Sequence, residues 1–309
     1  MPTSRMYYSH DSGAPILNNA AGSLIALLDA VLVTGYGAKA GLGWSKTFTG
    51  TNQAAYTQGA GSNGFKLAVD DTNVGYALVR GYEAMTAVTT GTLPFPTVVQ
   101  QALAAYCWHK SDVALNRPWV IWGDERGFRI AIDTTGVVNS TGMCMFHFGD
   151  VYSEAVVDPY CTLISASLVS TVTVGNGSLA FSKNSSISGT VGNWSVARLQ
   201  NGSSAALPCA IGGDQLKGGG YFGGPGGGAM PYPNPRNGGA YLAPIFAWSA
   251  NDLIGRVPGT WEICHAKPFA HLDTFDGVGA YAGKSFVAIN LATASTAGQL
   301  AVETSNTWS

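Results

Sequence analysis

The sequence has little charge. Of its 309 residues, 16 are Lys or Arg and 18 are Asp or Glu, so charged residues make up 11% and the formal net charge is −2. An average soluble domain carries about 25% charged residues. Because each contacted phosphate needs a cation, this balance argues against nucleic acid as a partner. It also weakens the repulsion between copies, and so favours a homo-oligomer or a place in a larger assembly.

The sequence also lacks the segments that direct a chain into a membrane. The opening MPTSRMYYSHDSGAPILNN has no basic stretch followed by an apolar one, and nowhere does the sequence contain an apolar run long enough to span. We therefore expect that the chain is made in the cytoplasm and is not inserted into a membrane. Disorder is excluded too, since 46% of the residues are apolar. An odd number of cysteines without metal-ligand spacing predicts free, mostly buried thiols at Cys107, Cys144, Cys161, Cys209 and Cys264.

No motif for a cofactor or a metal stands out. The glycine-rich stretch has no Gly-Lys-Ser/Thr ending of a phosphate loop, and no G-x-S-x-G elbow occurs. Cys144 and His147 would lie on opposite faces of one strand, and a zinc site would also need Cys264 and His265 to converge with them. The run 273–277 resembles part of a calcium loop, yet an Asx turn explains it equally. We predict no catalytic, cofactor or metal site, and a protein that is not an enzyme.

Two weaker alternatives involve sugars. A glycosidase needs a pair of carboxylates, which distant strands could supply, with Asp133, Asp150, Glu154 and Asp158 as the candidates. The adjacent Asp124 and Glu125 are instead expected to splay apart on a charged turn. Aromatic faces also stack on sugars. Tryptophans within predicted strands are expected in the core, which leaves Trp44 and Trp308 as the exposed candidates.

Glycine is the abundant residue, with 41 copies, and it is concentrated between Lys217 and Tyr241 in KGGGYFGGPGGGAMPYPNPRNGGAY. Glycine permits close backbone approach and proline stiffens the exit, so the loop 217–240 is suited to contact with a neighbouring subunit. The extended arm before Pro15, with Tyr7 and Tyr8, is a second expected contact.

One helix is expected, in AAGSLIALLDAVL, capped by Asn18 or Asn19 and closing at Gly35. Its apolar stripe consists of Leu24, Leu27, Leu28, Val31 and Leu32. From Trp44 onward the pattern is of strands and turns. The fold class predicted is mainly β, an antiparallel β-sandwich or barrel-like architecture with one N-terminal helix.

The chain divides into an N-terminal arm and helix (1–43), a β-rich domain (44–165) and a second β-rich region (166–309), which could form one composite domain. Strands are predicted at Phe65–Val69, Gly75–Met85, Arg117–Trp122, Gly127–Asp133, Met143–Phe148, Cys161–Val174, Ser186–Leu199, Tyr241–Trp248, Trp261–His265, Ser285–Leu291 and Gln299–Thr304. The segment 94–110 is ambiguous, because TVVQQALAAYCWHK could form a short helix before a strand.

Long blocks of the sequence include SGAPILNNAAGSLIALLDAVLVTGYG, GWSKTFTGTNQAAYTQG, RPWVIWGDERGF, VPGTWEICH and DTFDGVGAYAGKSF. Together they resemble a family of virion structural proteins of tailed bacteriophages and prophages, and only residues 165–215 contain no such block. The resemblance implies a β-rich virion component of the tail or baseplate, which binds itself and other virion proteins and carries no catalytic residue. The alternatives are a capsid decoration or fibre-like protein that binds host surface glycan, and a virion-associated glycan depolymerase.

Overall fold

The computed structural model describes residues 4–97, 106–111, 113–133, 143–153, 155, 158–168, 194–197, 208–212, 223–224, 228–229, 231–249, 252–265, 268–290, 299–305 and 308. Within them the fold is mainly β and antiparallel, with one short α-helix near the N-terminus, which confirms the predicted class. The strands form layers and not a closed barrel. None of the described helices has the length and apolar character needed to cross a membrane.

The helical elements are α1 (Ser23–Leu28), a π-helical segment (Asp29–Thr34) and a 3-10 turn (Gly279–Tyr281). The strands are β1 (Arg5–Tyr8), β2 (Ser45–Gly50), β3 (Gln53–Thr57), β4 (Lys66–Asp70), β5 (Tyr76–Ala87), β6 (Thr90–Phe95), β7 (Tyr106–His109), β8 (Trp119–Gly123), β9 (Gly127–Asp133), β10 (Met143–Asp150), β11 (Tyr152–Ser153), β12 (Thr162–Leu168), β13 (Trp194–Ala197), β14 (Pro208–Gly212), β15 (Gly223–Gly224), β16 (Gly228–Ala229), β17 (Leu242–Ser249), β18 (Asp252–Ile263), β19 (Thr274–Asp276), β20 (Ser285–Asn290) and β21 (Gln299–Glu303).

All of the described strands except β15 and β16, which pair with each other, form three connected sheets. The first has the order β1-β8-β9-β10-β12-β13-β14. The second runs β2-β3-β4-β5-β7-β12, with β6 beside the far end of β5. The third runs β14-β17-β18-β21-β20-β19, with β11 on β18. β12 therefore joins the first sheet to the second, and β14 joins the first to the third.

The first sheet is the middle layer, because both of its faces are covered. Trp119 and Ile121 of β8 pack into a core shared with α1 and the second sheet. The intervening Val120 and Trp122 pack into a core shared with the third sheet. Strands buried on both faces read as continuous apolar runs, which is why WVIWG and MCMFHF show little alternation of polarity. Residues from all three predicted segments share these cores.

The structure confirms the predicted apolar stripe of the helix but not the residue predicted to cap its N-terminus. Every residue of that stripe is fully buried. The N-cap position is Gly22, at φ 80°, while Asn18 Oδ1 accepts from Ala20 N in the preceding turn. The caps predicted at Asn18 or Asn19 were therefore wrong, because the first free N–H groups of the helix bond a side chain distant in sequence. The helix closes at Gly35 as predicted, where Gly35 N donates to Ala30 O across five residues.

The predicted strands are found, with shifted ends, wherever the structure describes them. In the segment 94–110 the structure describes the end of β6 and the strand β7. Residues 98–105 lie outside the description, so the possible short helix before the strand stays a prediction. β18 is much longer than the predicted Trp261–His265, since it begins at Asp252. Gly255 is required there, since a Cβ atom would overlap the main chain of Tyr152 in β11.

Candidate functional site

The N-terminal arm is part of the fold and not a projecting contact. Its residues Arg5–Tyr8 form β1, paired with β8, and Tyr7 is fully buried. The Tyr7 hydroxyl donates to Ala40 O at 2.5 Å. The prediction that this arm packs on a neighbouring subunit is thus wrong for Tyr7, because its own sheet provides the partner.

The outer edge of β1 is already occupied by side chains. Lys39 Nζ donates to Met6 O at 3.0 Å, and Tyr8 N donates to Asp11 Oδ2 at 2.8 Å. Lys39 and Asp11 also form an ion pair at 2.6 Å. A groove of about 490 Å³ follows this strand. Because these main-chain groups are taken, the edge is protected against the addition of a foreign strand.

The glycine-rich loop lies only partly within the described residues. β15 and β16 form a short antiparallel ladder, and most of the loop before residue 231 is outside the description. The described end folds back on the third sheet: the Tyr232 ring meets His265 at 5.5 Å and Phe269 at 5.1 Å, and Tyr241 N donates to His265 Nε2 at 2.6 Å. Its predicted role in contacts stays a prediction.

Exposed apolar side chains occur on three neighbouring loops. The loops are residues 13–22 before α1, residues 71–75 between β4 and β5, and residues 110–118 between β7 and β8. Among their described residues, Asp71, Lys110 and Arg117 are the charged ones, and all three are buried. The large aliphatic side chains, which we name the loop cap, are Ile16 (60% exposed), Val74 (69%), Val113 (41%) and Leu115 (66%).

Backbone hydrogen bonds hold these loops side by side. Gly75 N donates to Asn19 O at 2.9 Å, which joins the second loop to the first. Lys110 N donates to Gly75 O at 2.7 Å, and Arg117 N donates to Leu17 O at 2.8 Å. Each loop is thus bonded to another within three residues of a cap residue, which places the loops that carry the four side chains next to one another.

A buried ion pair ties the same loops together from below. Lys110 and Asp71 are fully buried and lie 2.5 Å apart. Lys110 Nζ also donates to Ala20 O at 2.8 Å and to Asn73 O at 3.2 Å. The second carboxylate oxygen of Asp71 accepts from Leu24 N at 2.8 Å, and so caps the helix. This side chain is the distant group that replaces the predicted cap.

Burial and pairing act in opposite directions on this ion pair. Burial raises the pKa of Asp71, and the hydrogen bond and charge of Lys110 oppose that rise. Burial likewise lowers the pKa of Lys110, and Asp71 opposes that change. With hydrogen bonds on both carboxylate oxygens and three acceptors around the ammonium, the pair has the surroundings that a buried charge needs.

The residues considered for zinc are structural. Cys144 and Phe146 face one core and His147 the opposite face of β10, as predicted. His265 is held by Tyr241 N, as described above. Cys107, Cys144, Cys161 and Cys264 are free and buried, and no group of three metal-binding side chains occurs among the described residues. The side chain of Cys209 lies outside the description.

Two of the carboxylates considered for glycoside hydrolysis, Asp133 and Asp150, lie far apart. β9 and β10 pair Asp133 with Met143, and Asp150 lies seven residues further along. At about 3.3 Å per residue the separation is ~20 Å, whereas a catalytic pair needs about 5–9.5 Å. Asp150 accepts hydrogen bonds from Thr162 and Gln58, and Asp158 from Ser153. Glu154 lies outside the described residues.

Other predicted surface groups are also internal. Trp44 is 4% exposed and Trp308 is 7% exposed, so both predictions of an exposed ring were wrong. Trp44 Nε1 donates to Asp124 O, and the ring packs edge-on against Phe128 at 5.5 Å. Asp124 is not a charged tip: its carboxylate accepts from Arg126 N at 2.8 Å inside the turn. The carboxylate of Asp273 accepts from Ala270 N at 2.7 Å, three residues earlier in the sequence, so it closes a local turn that precedes the calcium-like run.

One buried charge has no hydrogen bond. Arg129 is fully buried, and its three guanidinium nitrogens have no hydrogen-bond partner within the described chain. The guanidinium lies over the Trp308 ring at 5.4 Å. Burial lowers the pKa of Arg129 to about 10, so the group remains charged at neutral pH. Burial, and then the Arg129 charge, lower the pKa of His147 well below 6.5.

Sequence reasoning missed the loop cap and the ion pair beneath it. Asp71 stands in a run of turn-forming residues, DDTN, and Lys110 in the ambiguous segment, so neither signals a partner. No protein-family model matches the sequence, and no match was found among curated proteins.

Proposed function

We propose that this protein is a structural subunit of a tailed-phage virion, in the tail or baseplate, that works by self-association and by docking to other virion proteins. The observation that supports this function best is the loop cap: four exposed aliphatic side chains on loops whose described charges are all buried. Exposed apolar clusters of this kind mark protein–protein contacts. The resemblance of the long sequence blocks to phage virion proteins supports the assignment to a virion and to its tail.

The partner we assign to the loop cap is a second copy of the chain. Among the described residues of two identical caps no like charges face each other, because the described charges of the three loops are internal, and the whole chain has a net charge of only −2. A two-fold contact then brings Leu115 of one copy near Val74 or Leu115 of the other. A stable interface buries about 800 Å² on each partner, so the four cap residues form the centre of a wider contact.

Sedimentation velocity tests this assignment on the purified chain over a range of concentrations. Leu115→Glu and Val74→Glu each place a charge in the cap, and both are expected to shift the association to at least tenfold higher concentration. Leu253→Glu is the matched control, since Leu253 is also exposed (39%) but lies on β18 of the third sheet. It should associate as the wild type does.

A wild-type chain that stays monomeric at all concentrations would contradict self-association. Equal effects of all three substitutions would contradict the loop cap as its site. The virion assignment is tested separately by mass spectrometry of purified particles, in which the chain should be present at many copies. Its absence from particles would refute that assignment.

A further inference from the structure

A cavity of about 260 Å³ lies between the first and third sheets, beside the end of β9. Val120 and Ala131 of the first sheet and Leu272 form its apolar wall. The indole of Trp119 packs on the opposite side of the sheet, edge-on against Tyr36 at 6.3 Å. The cavity wall is therefore aliphatic, without an aromatic ring from Trp119.

Four polar side chains join this wall. Asp133, at the end of β9, is 3% exposed, and His271 comes from the segment before β19. Ser9 and His10, which follow β1, complete the lining, and His10 is exposed at the rim. A deep carboxylate opposite an imidazole thus lies in a largely apolar recess.

The protonation of His271 follows from its hydrogen bond. Asn290 N donates to His271 Nδ1 at 3.2 Å, so Nδ1 is an acceptor. Burial lowers the pKa of His271, with the charge of Asp133 opposing, so the ring is neutral at pH 7. A neutral ring with an acceptor Nδ1 carries its proton on Nε2. His271 therefore offers a donor, and Asp133 offers an acceptor with a negative charge.

These groups discriminate among classes of ligand. An anion would be repelled by Asp133. An ammonium ion has only donors and would leave the Nε2–H of His271 without an acceptor. A hydroxyl group both donates and accepts, so neighbouring hydroxyls can donate to Asp133 and accept from His271. The aliphatic wall matches the C–H face that a sugar ring presents.

We propose that this cavity binds a single sugar ring through adjacent hydroxyl groups, which donate to Asp133 and accept from His271. Pockets for drug-sized ligands measure about 300–1,000 Å³, so this smaller cavity fits one ring and not an oligosaccharide. The ring would be a terminal residue of a glycan on the surface to which the particle attaches. No bond is broken, because the second carboxylate of a glycosidase pair is not present among the described residues of the lining.

Saturation-transfer NMR tests the proposal with D-glucose, D-galactose and N-acetyl-D-glucosamine at millimolar concentrations on the full chain. At least one sugar should show transfer, and Asp133→Ala should reduce its affinity at least tenfold. Asp276→Asn, on the exposed edge strand β19, is the matched control and should bind as the wild type does.

A second variant separates binding from folding. Ala131→Leu adds volume to the cavity, so it should abolish the transfer while the melting temperature is kept or raised. Each titration is repeated on Leu115→Glu, so that loss of association cannot be mistaken for loss of binding.

The contrary results are distinct. Absence of transfer from all three sugars to the wild type would overturn the proposal. Transfer that persists in both Asp133→Ala and Ala131→Leu would exclude this cavity as the site. Binding of n-butylammonium in place of the sugars would overturn the ligand class.

Discussion

Lys110 and Arg129 are both fully buried cations, but their surroundings differ. Lys110 donates to a carboxylate and to two main-chain carbonyls. Arg129 contacts the face of Trp308 and has no hydrogen-bond partner in the described part of the chain. Lys110, with its hydrogen bonds, lies beneath the loops that carry the cap, and Arg129 lies between two sheets. Hydrogen bonds therefore hold Lys110 beneath the surface loops, whereas Arg129 is held between the sheets by packing against an aromatic ring.

The comparison predicts opposite responses to the removal of each cation. Lys110→Met should lower the free energy of unfolding by about 3–5 kcal/mol, since it leaves Asp71 buried without its counterion. Urea denaturation monitored by tryptophan fluorescence gives this value. A loss below about 1 kcal/mol would mean that the pair is not closed in solution.

Arg129→Met should raise the free energy of unfolding, by about 1–3 kcal/mol, because an apolar side chain of similar length needs no hydrogen bonds. The same urea titration measures it. A marked loss of stability would show instead that the guanidinium has partners that offset its burial, and the contrast with Lys110 would disappear.

His147 sharpens the contrast through pH. Its pKa in the folded chain is lowered well below 6.5, so the unfolded chain takes up a proton near pH 6.5 and the folded chain does not. The contribution of neutral His147 to the free energy of unfolding is therefore fully present above pH 6.5 and is lost as the pH falls. The difference in the free energy of unfolding between the wild type and His147→Gln should decrease by up to about 1.4 kcal/mol per pH unit as the pH falls below 6.5. A flat difference between pH 7 and pH 5 would contradict the buried neutral ring.

A surface pair provides the smallest effect. Lys46 and Asp29 lie 2.8 Å apart, but their side chains are 23% and 35% exposed. Lys46→Met should change the free energy of unfolding by less than about 1 kcal/mol. An effect as large as that of Lys110→Met would show that burial is not what separates the two pairs.

The features that the sequence could predict depend on neighbouring residues. The helical stripe from Leu24 to Leu32 follows a local period, and the turn between β8 and β9 follows a local change in polarity. The pairing of Asp71 with Lys110 spans 39 positions, and no pattern along the chain encodes it. β1 was missed for the same reason, since a short tyrosine-rich segment does not reveal that β8 lies ready to pair with it.

Burial also explains the errors at individual residues. Trp308 stands next to the end of the sequence, where a side chain is usually expected to be exposed. Its ring instead occupies the space over Gly259, where a Cβ atom on residue 259 would overlap it. Asp133 lies on the first sheet and His271 in the segment before β19 of the third sheet, so their common cavity forms only when these layers pack together.

The central claim is that the loop cap contacts a second copy of the chain. A photo-reactive phenylalanine analogue at position 115 tests it most directly, with the same analogue at position 253 as the control. Mixing isotopically light and heavy chains identifies links between copies by mass spectrometry. We predict mixed links from position 115 to peptides containing Ile16, Val74 or Leu115, and none from position 253. Links from position 115 that stay within one chain, or that match those from position 253, would contradict the claim.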